Sequence, residues 1–182
     1  MSFEKHFLEN TIGVFNNYRA LAEKSFAQLN HNKEYHYAPD LESNSIAIIM
    51  KHMAGNMISR WTDFLTTDGE KTTRNRDGEF IEGRASKEEL IKYWNKGWEV
   101  FINTLNSLQE EDLLKTVTIR GEGLTVAQAL NRQTAHYAYH IGRIVFLAKH
   151  LKSADWNSLS IPKNKSSEHL KGSYLDNISQ KS

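Results

Sequence analysis

The segment Thr134-Ala-His136-Tyr-Ala-Tyr-His140-Ile-Gly-Arg-Ile-Val-Phe-Leu147 decides how the chain is read. Apolar residues at Val126, Leu130, Tyr137, Ile141, Ile144, Ala148 and Leu151 recur at helical spacing and predict a helix over 126–151 with one buried stripe. His136 and His140 lie on the flank of that stripe with Gln133 and Leu147. Positions four apart stack on one helical face, so the two imidazoles are placed to grip one metal ion. A zinc-protease motif would carry Glu directly after the first histidine. Tyr137 stands there instead, and that class is excluded.

Working outward, Thr125-Val-Ala-Gln128 is a capping box that opens this helix, and Ser86-Lys-Glu-Glu89 opens another over 87–108. In the latter, Leu90, Trp94, Trp98, Phe101, Leu105 and Leu108 alternate in steps of three and four, the seam of a packed helix. A first helix over 3–29 carries Phe3, Phe7, Val14, Tyr18, Leu21 and Leu29 as its stripe. A second runs from Ser43 or Asn44, either one a plausible cap, to Leu65, with Ile46, Met50, Met53, Met57, Trp61 and Phe64 facing inward.

Between these helices, residues 30–40 read as a loop. Residues 66–85 form a long polar connection with three glycines, of a length that is often functional or mobile. Glu79-Phe80-Ile81 is its candidate anchor. Residues 114–123 read as a short hairpin turning at Arg120-Gly-Glu-Gly123. Trp156, Leu159 and Ile161-Pro162 are candidates to pack back onto the helices. The expected architecture is all-α: a four-helix bundle over residues 1–165, with a long connection between the second and third helices and a small hairpin before the fourth. A flexible C-terminal tail is expected over 166–182.

Composition bounds the chemistry. Hydrophobic residues make up 39% and charged residues 25%, a globular balance. The 23 basic and 22 acidic residues leave a net charge of +1, so there is no electrostatic case for nucleic acid or an anionic membrane. The absence of cysteine removes disulfides, thiolate ligands and a cysteine nucleophile together. No apolar run approaches the roughly 20 residues of a membrane span. Met1-Ser-Phe-Glu-Lys-His6 is not a signal peptide, so the expected location is the cytoplasm. No nucleophile elbow, P-loop or dinucleotide fingerprint occurs.

A third ligand is then needed. His52 lies on the second helix about a third of a turn from its apolar stripe, beside Ile49 and Asn56, at the same kind of core edge. Each histidine alone reads as an ordinary boundary residue; His52, His136 and His140 together read as a metal site. Three neutral imidazoles leave a fourth position open, and zinc and nickel both accept such ligands. Asn56 and Gln133 are either partners that orient the rings or plain boundary residues. His31 and His36 read as solvated loop residues. A closed site would need a fourth ligand such as Asp40, Glu42, His31 or His36. Lys71, Arg74 and Arg76 form a small basic cluster offset by Asp68, Glu70 and Asp77.

Ile48-Ile-Met-Lys-His52-Met-Ala-Gly-Asn56, the run Leu124-Thr-Val-Ala-Gln-Ala-Leu-Asn-Arg-Gln133 and His136-Tyr-Ala-Tyr-His140 resemble the DinB superfamily of four-helix proteins. That superfamily includes damage-inducible and bacillithiol- or mycothiol-linked members. Leu159-Ser-Ile-Pro162 resembles one bacterial subgroup of it, without an assigned activity, and the resemblance covers about residues 3–165. It implies a metal, usually zinc or nickel, held by His52, His136 and His140, a frequent homodimer, and a small-molecule substrate. The activity it implies is that of a metal-dependent transferase activating a low-molecular-weight thiol. A hydrolase using metal-bound water and a non-catalytic metal-binding stress protein are the alternatives. Trp61, Trp94, Trp98 and Trp156 offer aromatic surface for a dimer interface.

Overall fold

The structure, a computed structural model, describes residues 1–166. The chain is mostly helical. In order it forms α1 (Phe3–Phe26), α2 (Asn32–Tyr35), α3 (Ile46–Trp61), α4 (Arg76–Glu79), α5 (Lys87–Ser107), β1 (Thr116–Ile119), β2 (Glu122–Thr125) and α6 (Val126–Lys152). Four long helices, α1, α3, α5 and α6, share one core, with the tightest associations between α3 and α5 and between α1 and α6. Phe101 of α5 sits at their junction. Its ring centroid lies 4.6 Å from Phe15 of α1, 4.7 Å from Trp61 of α3 and 5.4 Å from Tyr137 of α6. Edge-on and tilted aromatic pairs of this kind add about 0.5–1.5 kcal/mol each beyond the area they bury.

Local chemistry explains the helix starts. Ser86 and Thr125 form the two expected capping boxes with Glu89 and Gln128. The second long helix starts later than expected: Ser45, not Ser43 or Asn44, caps it by accepting from the Ile48 N–H. It also ends earlier, at Trp61, because Asp63 turns the chain with φ +50°.

The first helix is rotated from the expected face: Phe7, Tyr18 and Leu21 of the expected stripe pack at the margin of the core, and a neighbouring row takes its centre. Leu8, Phe15, Ala22 and Phe26 are buried, whereas Phe3 is exposed and Val14 and Leu21 are half-covered. The helix stops at Phe26, and Leu29 reaches the core from the loop beyond. The loop over 30–40 contains one helical turn, α2, which buries Tyr35. Trp61, Trp94 and Trp98 are all consumed by the core of this one chain, so they present no surface for a dimer. Trp156 packs against the core while Ile161 stays exposed.

The polar connection from Thr62 to Ala85 is pinned at several points. Asp68 accepts hydrogen bonds from the backbone N–H groups of Arg120 and Gly121 in the hairpin turn, both at 2.9 Å. The Gly69 N–H donates to Thr118 O of β1 at 2.8 Å. Ser59 of α3 holds the next stretch, donating to Gly69 O and accepting from the Lys71 N–H. The hairpin turns on Arg120 and Gly121, both at positive φ, and pairs Thr116 with Thr125 and Ile119 with Glu122. These contacts bring the connection, the hairpin turn, α3 and the first half of α6 to one end of the core. No helix among the described residues is long and apolar enough to cross a membrane. The tail expected over 166–182 lies, apart from Ser166, outside the described residues.

Candidate metal centre

Tyr137 fixes the orientation of α6. Its side chain is fully buried in the aromatic junction, and its hydroxyl donates to Asn56 Oδ1 of α3 at 3.3 Å. With that residue anchored, His136 and His140 project from the flank toward α3. His52 meets them there. His140 Nε2 lies 3.0 Å from His136 Nε2, and His52 Nε2 lies 3.4 Å from the same atom. The three candidate ligand nitrogens all fall within 4.8 Å of one another. A tetrahedral ion with bonds of about 2.0–2.1 Å to nitrogen requires ligand atoms about 3.3 Å apart. The two separations from His136 Nε2 already match that spacing, so the donor set fits a divalent cation once the His52 and His140 rings adjust to each other. Among the described residues this is the group placed to hold a metal, and Asp40, Glu42, His31 and His36 are not part of it.

Protonation favours the same use. Burial, then the electrostatic influence of the neighbouring His52 ring and of Arg60, Arg74 and Arg132, pulls the His136 pKa down to about 4. Burial, followed by His136 and His52, takes His140 down to about 3. Both rings are neutral at pH 7, as a metal ligand must be.

Two groups orient the rings. His52 Nδ1–H donates to Glu79 Oε2 at 3.0 Å, which leaves its Nε2 lone pair facing the other histidines. Glu79 is itself gripped by Arg74, whose Nε and Nη2 donate to its two carboxylate oxygens at 2.7 and 2.8 Å. Burial alone would raise the Glu79 pKa; the hydrogen bonds from His52 and Arg74 outweigh it and hold the carboxyl below its usual range. A carboxylate behind a ligating histidine fixes tautomer and ring angle.

On the other side, Gln133 Nε2 lies 3.3 Å from the second ring nitrogen of His136 and donates to Asn56 Oδ1 at 3.1 Å. Arg60 Nη1 donates to Gln133 Oε1 at 2.8 Å. Asn56 and Gln133 are thus interior members of a network that touches His136, not boundary residues.

Sequence reasoning placed His52, His136 and His140 and missed Glu79 as the fourth partner. Glu79 anchors the connection, as its place in Glu79-Phe80-Ile81 suggests, and does so by way of a histidine. Gly55, three residues after His52, is what admits it: a Cβ at Gly55 would lie 2.1 Å from Glu79 Oε1. Phe80 closes the same side, its ring centroid 4.8 Å from that of His52, while Ile81 stays exposed. The expected loop histidine His36 is partly buried and donates to Glu82 at 2.6 Å, away from the centre.

No curated protein matches the chain. The family described as "Protein of unknown function (DUF1572)" matches residues 2–165, nearly the whole of the described chain, and the protein belongs to it.

Proposed function

For this member of the DUF1572 family we propose a metal-dependent enzyme built on a DinB-like four-helix bundle, a transferase that activates a low-molecular-weight thiol. The observation that carries this reading is the convergence of three imidazole nitrogens, two of them neutral at pH 7, with a buried carboxylate behind His52. Imidazole ligation suits zinc or nickel. A divalent cation held there would lower the pKa of a thiol or water bound beside it.

The chain's own residues supply the rest. Glu79 and Gln133 orient His52 and His136. The charges of Arg60, Arg74 and Arg132, which depress the His136 pKa, also favour an anionic nucleophile such as a thiolate. A homodimer belongs to the same proposal; exposed Tyr139 and Phe146 on α6 are its candidate contacts.

The test combines metal analysis with turnover. Purified protein should carry one zinc or nickel per chain, and His52→Ala should lose it. A haloaromatic electrophile with a small thiol should then be converted faster by metal-loaded than by stripped protein. Equal rates would remove the transferase reading. Turnover of ester or amide substrates without thiol would point to the hydrolase alternative. Metal-dependent stability with no turnover would point to a binding protein.

A further inference from the structure

A polar cavity of about 200 Å³ opens directly beside the three histidines, and its walls include His52, Asn56 and His136. The rest of the lining is arginine: Arg60 from α3, Arg74 and Arg76 from the connection, Arg120 from the hairpin turn and Arg132 from α6. Among the described residues no carboxylate lines it. Only Arg74 and Arg76 are neighbours in sequence; folding brings Arg60, Arg120 and Arg132 to them across a span of 73 positions.

Two of the five are already matched. Arg74 is held by Glu79 and by Glu70 at 3.3 Å, and Arg120 pairs with Glu70 at 3.1 Å. The other three have no close carboxylate partner among the described residues. Arg132 has Glu122 at 3.9 Å, an exposed and weak pair. Arg76 makes no ion pair among the described residues and lies 5.1 Å from the centre of the Phe80 ring. Arg60 is the decisive case. It is 5% exposed, its Nε has no partner, its hydrogen bond goes to the neutral Gln133, and no carboxylate of the described residues lies within ion-pair distance.

Removing a guanidinium from water costs several kcal/mol unless an anion compensates, and desolvation is the main force lowering the Arg60 pKa. Among the described residues no such anion stands at Arg60; Glu70 acts on it only from beyond ion-pair distance. A structural role in holding Gln133 would account for one of its donors and leave the others without purpose.

We infer that this cavity is an oxyanion subsite, in which the carboxylate or phosphate of a small substrate seats between Arg60, Arg76 and Arg132 with its reacting end toward His52 and His136. Arginine's planar fork matches both kinds of oxyanion bidentately. The volume is below the roughly 300 Å³ at which drug-sized pockets begin, so it takes a charged head and leaves the rest of the molecule outside. This names a substrate class for the proposed enzyme and rests on that reading only for the direction of the reacting end.

Inorganic phosphate and succinate are the probes, titrated separately by calorimetry at low ionic strength into metal-free and zinc-loaded full-length protein. At least one should bind the metal-free protein saturably, one per chain, and raise its unfolding midpoint. Phosphate alone would identify a phosphorylated substrate and succinate alone a carboxylate. Arg76→Gln and Arg132→Gln, both at the exposed rim, should each weaken binding at least tenfold without changing the midpoint of the ligand-free protein. Lys149→Gln, exposed on the last turn of α6, should change neither. Arg60→Lys should weaken binding more than either rim variant; should it not fold, the rim variants decide alone. Absence of saturable binding by both probes, or binding indifferent to both rim substitutions, overturns the inference. Anion binding without zinc binding would leave the subsite standing and remove the metal reading; zinc binding without anion binding would do the reverse.

Discussion

Gly55→Ala should weaken metal binding although residue 55 touches no ligand atom. A Cβ at Gly55 would meet Glu79 Oε1 at 2.1 Å, Cδ at 2.8 Å and Cγ at 3.4 Å. Ordinary contacts between such atoms begin at about 3.5 Å, so the carboxylate must retreat by more than about 1 Å. It cannot do so and keep its bonds. Arg74 holds both oxygens at 2.7 and 2.8 Å, and His52 Nδ1 lies 3.0 Å from one of them. A contact stretched to about 3.6 Å or more is no longer a hydrogen bond. His52 therefore loses the carboxylate that sets its tautomer and ring angle.

Losing such a partner costs about 10- to 100-fold in metal affinity, or about 1.4–2.8 kcal/mol. Fold stability moves less. Alanine in a helix interior gains about 0.5–1 kcal/mol over glycine, against about 1.5–3 kcal/mol for a lost charge-assisted hydrogen bond. The net is a loss of about 0.5–2.5 kcal/mol. Zinc affinity by competition with a chromophoric chelator and urea unfolding of the metal-free protein measure the two effects. Glu79→Gln should cost a similar factor in affinity, and the double variant should be no worse than Glu79→Gln alone, because both changes act on one contact. Wild-type affinity in Gly55→Ala, or full additivity in the double variant, would refute the reasoning.

Acid should destabilise the metal-free protein: His136 and His140 titrate at about 4 and about 3 when folded and near 6.5 when unfolded. Below pH 6.5 the unfolded chain binds the extra protons, so stability is fully present above that value and is lost as pH falls toward the folded pKa values, by at most about 1.4 kcal/mol per pH unit for each ring. Urea unfolding at pH 7 and pH 5 checks this, and the His136→Gln/His140→Gln variant should show a flatter profile; equal slopes would be contrary evidence. Gly97→Ala should destabilise the fold by about 1–3 kcal/mol by overpacking, since its Cβ would lie 2.8 Å from Ala54 Cα on the facing helix; an unchanged urea midpoint would contradict the close α3–α5 approach. Gln133→Leu should cost about 1–3 kcal/mol by stranding the Arg60 donor that now reaches Gln133 at 2.8 Å, and a neutral effect in thermal unfolding would count against that network.

What the sequence made legible follows from periodicity. The three histidines sit on long helices whose apolar stripes are unambiguous, so their placement relative to the core was readable. The capping boxes at Ser86 and Thr125 and the Leu90–Trp94–Trp98–Phe101 seam were readable for the same reason. The first helix was not, because it carries two apolar rows of similar period. Phe3, Phe7, Val14 and Tyr18 make one, and Leu8, Phe15, Ala22 and Phe26 the other. Only packing against Phe101 and α6 selects the second. Glu79 was invisible for a different reason. It lies 27 positions from His52 in a polar stretch without period, and its burial depends on the absence of one side chain, at Gly55. Arg74 and Arg76 read in sequence only as a small basic cluster offset by acidic neighbours, because folding, not spacing, brings Arg60, Arg120 and Arg132 beside them.

The small pair Ala54-Gly55 gives these observations a common cause. Almost every residue of α3 is buried, so neighbours must approach it from several sides at once. At Ala54 the backbone of α5 comes in through Gly97; at Gly55 the carboxylate of Glu79 comes in from the connection. A larger residue at either place would push one neighbour away, and His52 sits just before both on the same helix. The polar connection is therefore part of the site. It delivers Glu79 to a ligand, sends Arg74 and Arg76 to the cavity wall, and through Asp68 ties the hairpin turn that brings Arg120. Two helices alone would bring three imidazoles together with nothing to fix the angle of His52. With the connection in place, that ring is held by a carboxylate that is itself held by two arginine nitrogens, and the charge left over faces a cavity lined by His52 and His136.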